Sequence, residues 1–216
     1  HLPDLILIDG GPQQLRFARE ALKAVTESYE GETLIASLPA QTLGFLGKAH
    51  ARLEALNRHL LSSGEMTTGA AVACLLLRGG KACVASVGNV RTFLLRRSLL
   101  LPLSRDQLLS LETEERDILS GDAPEVESDM AMMVTAYAGM ENLKRLDWTV
   151  LPVSLCHDDR LIQMSSGLYG VLKEETLTGL LEQGTAQEAA DLVMDRVRGL
   201  RARSQSNASL CIVHVL

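Results

Sequence analysis

The period of the hydrophobic pattern changes several times along the chain, and each change marks an element. Asp4 to Ile8 is a short apolar run that ends in Asp9-Gly10-Gly11. This predicts a buried strand entering a tight turn, since glycine accepts positive φ without steric cost. Pro12 then opens a helical pattern over about 13–26, with Leu15, Ala18, Ala21, Leu22 and Val25 at helical spacing. A second helix is predicted over 43–61, where Leu46, Ala49, Leu53, Leu56 and Leu60 share one face. At Gly64 the texture switches. Thr68 to Leu77 is nearly continuous in apolar residues, Arg78-Gly79-Gly80-Lys81 is a turn, and Ala82 to Val87 is a second apolar run. Two runs joined by a Gly-Gly turn predict a β-hairpin.

Strands over 91–96 and 99–103 continue this meander. A polar, acidic stretch follows, helical near 107–119, and then the irregular Met- and Ala-rich segment 129–140. Strands are predicted over 148–154 and 160–165 with a turn at Asp158-Asp159, helices over 176–181 and 186–200, and a final strand over 209–216. Thr185 is placed to cap the last helix. Hairpins with segregated helices, and no regular βαβ alternation, imply an α+β fold with mostly antiparallel sheets. The length of 216 residues suits one large domain or two small ones.

Composition narrows this picture. Hydrophobic residues make up 46% of the chain but aromatics only 3%, so the core must be built from Leu, Val, Ala, Ile and Met. A net charge of −6 lacks the basic face of a nucleic-acid binder. The longest apolar runs fall short of the roughly 18 residues of a membrane span, and no secretory signal is visible. Cys74, Cys83, Cys156 and Cys211 each sit in an apolar run without a CxxC pair. They read as reduced core residues, which points to a reducing, cytoplasmic setting. No two histidines have ligand spacing with a carboxylate, and neither a Gly-x-Ser-x-Gly elbow nor a Walker loop is present.

Five segments, in order, carry a family resemblance. LILIDGG (5–11) resembles a strand ending in Asp-Gly, and TTGAAVACLLLRGGKACVASVGNVRTFLLR (67–96) resembles a Thr-Thr hairpin followed by a Gly-Asp-Ser-Arg turn. SRDQ (104–107) resembles Thr-x-Asp-His. HDDRLIQMSSGLYGVL (157–172) resembles the segment that reads Ser-Asp-Gly-Leu, and SNASLCIVHV (206–215) a closing Asp-Asn motif with its strand. These are the signature motifs of the PP2C-type, or PPM, metal-dependent serine/threonine protein phosphatases, and the chain resembles that family over nearly its whole length. A rival likeness of LPDLILIDGG to the RNase H-like domain of excision-repair nucleases stops at about Gln14.

The resemblance implies a PP2C-like sandwich of two mostly antiparallel β-sheets flanked by helices. It implies one domain over 1–216, with the family's first strand or strands, its phosphate-binding arginine and an acidic pair lying before His1. It also implies metal-assisted hydrolysis of a phosphomonoester, in which two Mg²⁺ or Mn²⁺ ions about 4 Å apart activate a water. Such hard ions need several converging carboxylates. Asp9 matches the bridging aspartate and Gly10 the residue whose carbonyl assists; these two would hold any metal that is bound. The remaining matched positions have lost their charge: Asn89 stands in the Gly-Asp-Ser-Arg turn, Ser166 in Ser-Asp-Gly-Leu and Ser206 in Asp-Asn.

The pattern thus resembles the family's pseudophosphatases, such as the kinase-binding adaptor TAB-one. The function it implies is a regulatory or protein-binding module with a kinase or regulatory protein as partner and no resident cofactor. The alternative is an active Mg²⁺- or Mn²⁺-dependent phosphatase that recruits replacement ligands such as Asp122 or Asp129. Plainer roles stand beside these: Asp9 capping its turn, Asp159 in a structural turn, Asp106 and Asp129 on solvated loops, Arg91 paired with a carboxylate, and His50 and His59 on the surface. Met130, Met132 and Met133 are read as core residues, with a soft partner surface as the other reading.

Overall fold

The structure is a computed structural model that describes residues 5–9, 19, 23, 37–65, 67–120, 130–200 and 206–216. The helix expected over 13–26 lies outside the described residues except for Arg19 and Lys23, which are helical. In chain order the elements are β1 (Leu5–Asp9), α1 (Leu38–Ser62), β2 (Ala71–Arg78), β3 (Lys81–Val87), β4 (Arg91–Arg96) and β5 (Leu99–Pro102). There follow α2 (Leu109–Ser120), β6 (Asp147–Trp148), β7 (Val153–Ser154), β8 (Arg160–Met164), α3 (Ser166–Tyr169), α4 (Glu174–Leu181), α5 (Ala186–Leu200) and β9 (Leu210–His214). They build two antiparallel sheets. One runs β1-β2-β3-β6 with β7 also on β3, and the other runs β5-β4-β8-β9.

Alternation along the strands sorts side chains into three cores. Leu75, Ala82, Val84, Leu94 and Leu161 meet between the two sheets. Cys74, Leu76, Cys83, Ala85 and Val87 face outward and are covered by Phe45, Leu46, Ala49 and Leu53 of α1. On the far side Phe93, Leu95, Ile162 and Met164 are covered by Leu168, Leu177, Leu181, Val193 and Val197 of α3, α4 and α5. β2, β3, β4 and β8 are therefore buried on both faces, which is why their sequences are apolar runs rather than strict alternations. The α+β sandwich expected from the sequence is the fold observed.

Local chemistry sets several boundaries. The side chain of Asn57 on α1 donates to the carbonyls of Thr68 and Gly139, both at 2.7 Å, and accepts from the Thr68 amide at 2.9 Å. It thereby pins the entry to β2. Thr185 caps α5 through a reciprocal box: its hydroxyl accepts from the Glu188 amide at 3.2 Å, and its own amide donates to the Glu188 carboxylate at 2.7 Å.

Five expectations need correction. The single strand expected over 148–154 is two two-residue strands on β3. Thr149 interrupts the ladder because its hydroxyl accepts from the Val84 amide at 2.9 Å, and Pro152 brings no amide donor. Asp106 is not a solvated loop residue but 7% exposed. Cys156 is exposed rather than core. His50 is half-buried, and its Nδ1 accepts from the Gly139 amide at 3.2 Å. Met130, Met132 and Met133 are 42%, 55% and 49% exposed; their segment lies at the N-terminal end of α2, where the Met133 and Ala131 carbonyls accept from the Leu109 and Ser110 amides.

Candidate functional site

Strand register gathers the candidate positions at one end of the sandwich. Asp9 pairs with Ala71, and Val72 with Val87, so the end of β1, the start of β2 and the end of β3 lie in one row. Gly88 follows directly (φ 92), and a Cβ there would come 2.6 Å from that of Ala71, so only glycine fits this crossing. Asn89 continues the turn into Arg91. In the second sheet Arg91 pairs with Met164 and Met164 with Leu210, which brings the end of β8 and the start of β9 to the same edge. Neighbouring strands are about 4.8 Å apart, so Asp9 and Gly88 stand about 10 Å from each other across β2. Gly10 lies outside the described residues.

Ser166 and Ser206 lie on adjoining segments. Ser166 opens the four-residue α3. The next residue, Gly167, is packed so closely on the approach to β9 that an added Cβ would lie 2.4 Å from the Asn207 carbonyl oxygen and 2.6 Å from that of Ser206. Ser165 closes the junction: its hydroxyl donates to the Asn207 carbonyl at 3.1 Å and accepts from the Ser209 amide at 2.9 Å. Asn89 is tied to the same short helix, because the Tyr169 hydroxyl donates to its carbonyl at 2.8 Å. Three of the five sequence-derived positions, Asn89, Ser166 and Ser206, therefore surround α3, with the Asp9 backbone across the first sheet.

Arg91, Asp106, Gln107, Ser165 and Tyr169, which brace this edge, were not singled out as site residues from sequence. Arg91 lays its guanidinium 3.7 Å above the Tyr169 ring centroid and binds Asp106 Oδ2 through Nε at 2.8 Å and a terminal nitrogen at 2.7 Å. Gln107 accepts the Gly88 amide on its side-chain oxygen at 2.7 Å, while its backbone N–H donates to the Gly88 carbonyl at 3.0 Å. The signal for the Arg91–Asp106 pair was the match of SRDQ to Thr-x-Asp-His together with the expected carboxylate partner for Arg91. Nothing comparable pointed to Ser165 or to Tyr169. The sandwich interior also turns polar toward this end: Ser86, Thr92 and Gln163 are buried there, with Gln163 Nε2 donating to the Thr92 hydroxyl at 3.2 Å.

Apart from Asp9, the described side chains at the matched positions of this edge are poor ligands for a divalent cation. Asn89 brings an amide and Ser166 and Ser206 bring hydroxyls, while Asp106 holds Arg91 through Oδ2 and keeps a buried Oδ1 with no hydrogen-bond partner among the described residues. Among the described residues no three His, Cys, Asp or Glu side chains come together as a metal group. Each missing carboxylate forfeits about 4 kcal/mol of attraction per unit charge at 4 Å, even at an effective dielectric of about 20.

Structural comparison places this geometry. The chain is similar to the serine/threonine phosphatase Stp1 from Staphylococcus aureus, with a TM-score of 0.77 and 17% identity over 98% of this chain and 83% of that one. It is similar to the catalytic domain of the phosphatase PstP solved in complex with two manganese ions, with a TM-score of 0.70 and 17% identity over 98% and 86%. The chain has the fold of the PPM-type serine/threonine phosphatases. A stage II sporulation E family protein from Thermanaerovibrio acidaminovorans also matches, with a TM-score of 0.61 and 24% identity over 97% and 94%. No protein-family model and no curated protein sequence matches the chain. Among the described residues no helix is long and apolar enough to cross a membrane.

Proposed function

We propose that this chain is a PPM-fold regulatory domain over 1–216 that binds a protein partner in the cytoplasm and does not sustain two-metal hydrolysis. The observation that carries the reading is the junction of β8 and β9. There the backbone at Ser206 and Asn207 packs against Gly167, next to Ser166, and Ser165 closes the junction; both serines fall where the resemblance puts metal-binding aspartates, and neither carries charge. Hydroxyls are weak ligands for Mg²⁺ and Mn²⁺ beside carboxylates. The hydrophobic layers, by contrast, keep the pattern of a fully packed sandwich. A domain that retains its core while losing charge at its site has a surface to offer rather than a reaction. The expected partner is a kinase or another regulatory protein.

The second reading is an active phosphatase with replacement ligands. The position of Asp9 at the strand end, in one row with Gly88, favours it. Hydrolysis of para-nitrophenyl phosphate with excess Mn²⁺ separates the two, using Asp9→Ala as the control. The regulatory reading expects the same background rate from both proteins. Metal-dependent turnover that disappears in Asp9→Ala would overturn it.

A further inference from the structure

At the opposite end of the β5-β4-β8-β9 sheet lies an open groove of about 300 Å³ that takes no part in the site above. Register builds its floor. Leu95 stands opposite Arg160, and Arg160 opposite His214. These three side chains therefore rise from one face, with neighbouring Cβ atoms about 5 Å apart. One wall is the β4–β5 turn, where Arg97 and Ser98 both adopt left-handed conformations (φ 51 and 62). Glu182, just past α4, and Asp158 complete the lining. The Asp158 carboxylate lies 3.0 Å from His157 Nδ1 and 3.6 Å from His214 Nε2.

Arg160 is the unusual member. It is only 7% exposed, yet its guanidinium donates solely to neutral carbonyls: Leu181 at 2.6 Å, Gln183 at 3.3 Å and Gly184. Among the described residues no carboxylate pairs with it, and its Nε–H has no acceptor. A guanidinium cannot shed its charge by deprotonation. Left buried without a counter-ion it is costly, and it attracts an anionic group. Arg97 supplies a second, exposed guanidinium at the mouth.

The two carboxylates on the other side would repel a simple dianion. A molecule that carries an anionic group next to an ammonium would satisfy both. We propose that this groove binds a small zwitterion, with its phosphate or carboxylate on Arg160 and Arg97 and its ammonium beside Asp158 and Glu182. The groove volume is at the lower end of the range for small-molecule sites, which suits a ligand of this size. The site is separate from the Asn89–Ser166–Ser206 edge and does not depend on whether that edge is catalytic.

The test is a ¹⁵N NMR titration of the full chain with O-phosphoethanolamine, run in parallel with inorganic phosphate. Saturable shifts are expected at Arg97, Ser98, Gly184, His214 and the Arg160 Nε–H. Phosphate alone should bind roughly tenfold more weakly, since it lacks the ammonium that would lie beside Asp158 and Glu182. Arg97→Glu, on an exposed turn, should weaken O-phosphoethanolamine binding by about tenfold or more while leaving the rest of the spectrum in place. Shifts confined to Asn89 and 166–169, or no saturable shift at the groove, would overturn the proposal. Equal affinity for phosphate alone, or an Arg97→Glu variant that binds as the parent does, would overturn it as well.

Discussion

Gly167→Ala tests the closed junction at the candidate site. The single added carbon would lie 2.4 Å from the Asn207 carbonyl oxygen, 2.6 Å from that of Ser206 and 2.8 Å from the Asn207 carbonyl carbon. All three are backbone atoms, so no side chain can rotate away. An ordinary carbon–oxygen contact is about 3.3 Å or more, so α3 and the approach to β9 must separate by roughly 0.9 Å. That movement would strain the two hydrogen bonds through which the Ser165 hydroxyl bridges Asn207 and Ser209. Overpacking of this kind costs about 1–3 kcal/mol. For a chain of this size the loss corresponds to a fall in Tm of about 2–12 °C.

Gly179→Ala is the matched control. It lies inside α4, and an added Cβ there meets nothing within 4 Å. It should raise stability by about 0.5–1 kcal/mol through helix propensity alone. Urea denaturation followed by circular dichroism measures both variants. If Gly167→Ala were as stable as the parent, the tight approach of the Ser166 and Ser206 segments would be wrong.

Two further predictions follow from ionisation. The Arg96 guanidinium grips Asp159 at 2.8 and 2.6 Å, and the Cys156 amide donates to the same carboxylate at 2.6 Å. Together they hold its carboxyl below the usual aspartate range, against the opposing effect of burial. Because the folded value is depressed, this stability is present above the unfolded pKa and is lost as pH falls through the folded value. Asp159→Asn should therefore cost about 2–3 kcal/mol at neutral pH, between exposed and buried ion pairs, and the gap to the parent should narrow below about pH 4. A gap that stays constant with pH would contradict this. Among the cysteines, burial pushes the Cys74 thiol up to about 12, whereas Cys156 is exposed. A chromogenic disulfide should thus label Cys156 rapidly in the native protein and leave Cys74 untouched until guanidinium is added; rapid native labelling of Cys74 would contradict the packing of α1 on the first sheet.

Much of the architecture was legible because local and global signals coincide. The Gly79-Gly80 turn between two apolar runs marks β2 and β3, and the Thr185-x-x-Glu188 pattern marks the start of α5. The parts that were not legible depend on contacts between distant residues. Asp106 looks like a loop aspartate until Arg91, 15 residues away, is brought back over it. The strand through Trp148 is divided by a side-chain bond from Thr149 to Val84, 65 residues away. Methionines do not reveal that their segment will lie at the N-terminal end of α2 rather than in a core. At the candidate site, the five matched positions were visible as motif residues, but the tie of Asn89 to α3 required the Tyr169 hydroxyl, which no motif named.

The most direct test of the proposed regulatory reading is calorimetric titration of the parent chain with Mn²⁺, alongside a Ser166→Asp/Ser206→Asp variant. The account predicts no pair of tight sites in the parent and a gain in Mn²⁺ affinity of at least about a hundredfold when the two carboxylates are introduced, at several kcal/mol of attraction each. Two tight Mn²⁺ sites in the parent chain would contradict it.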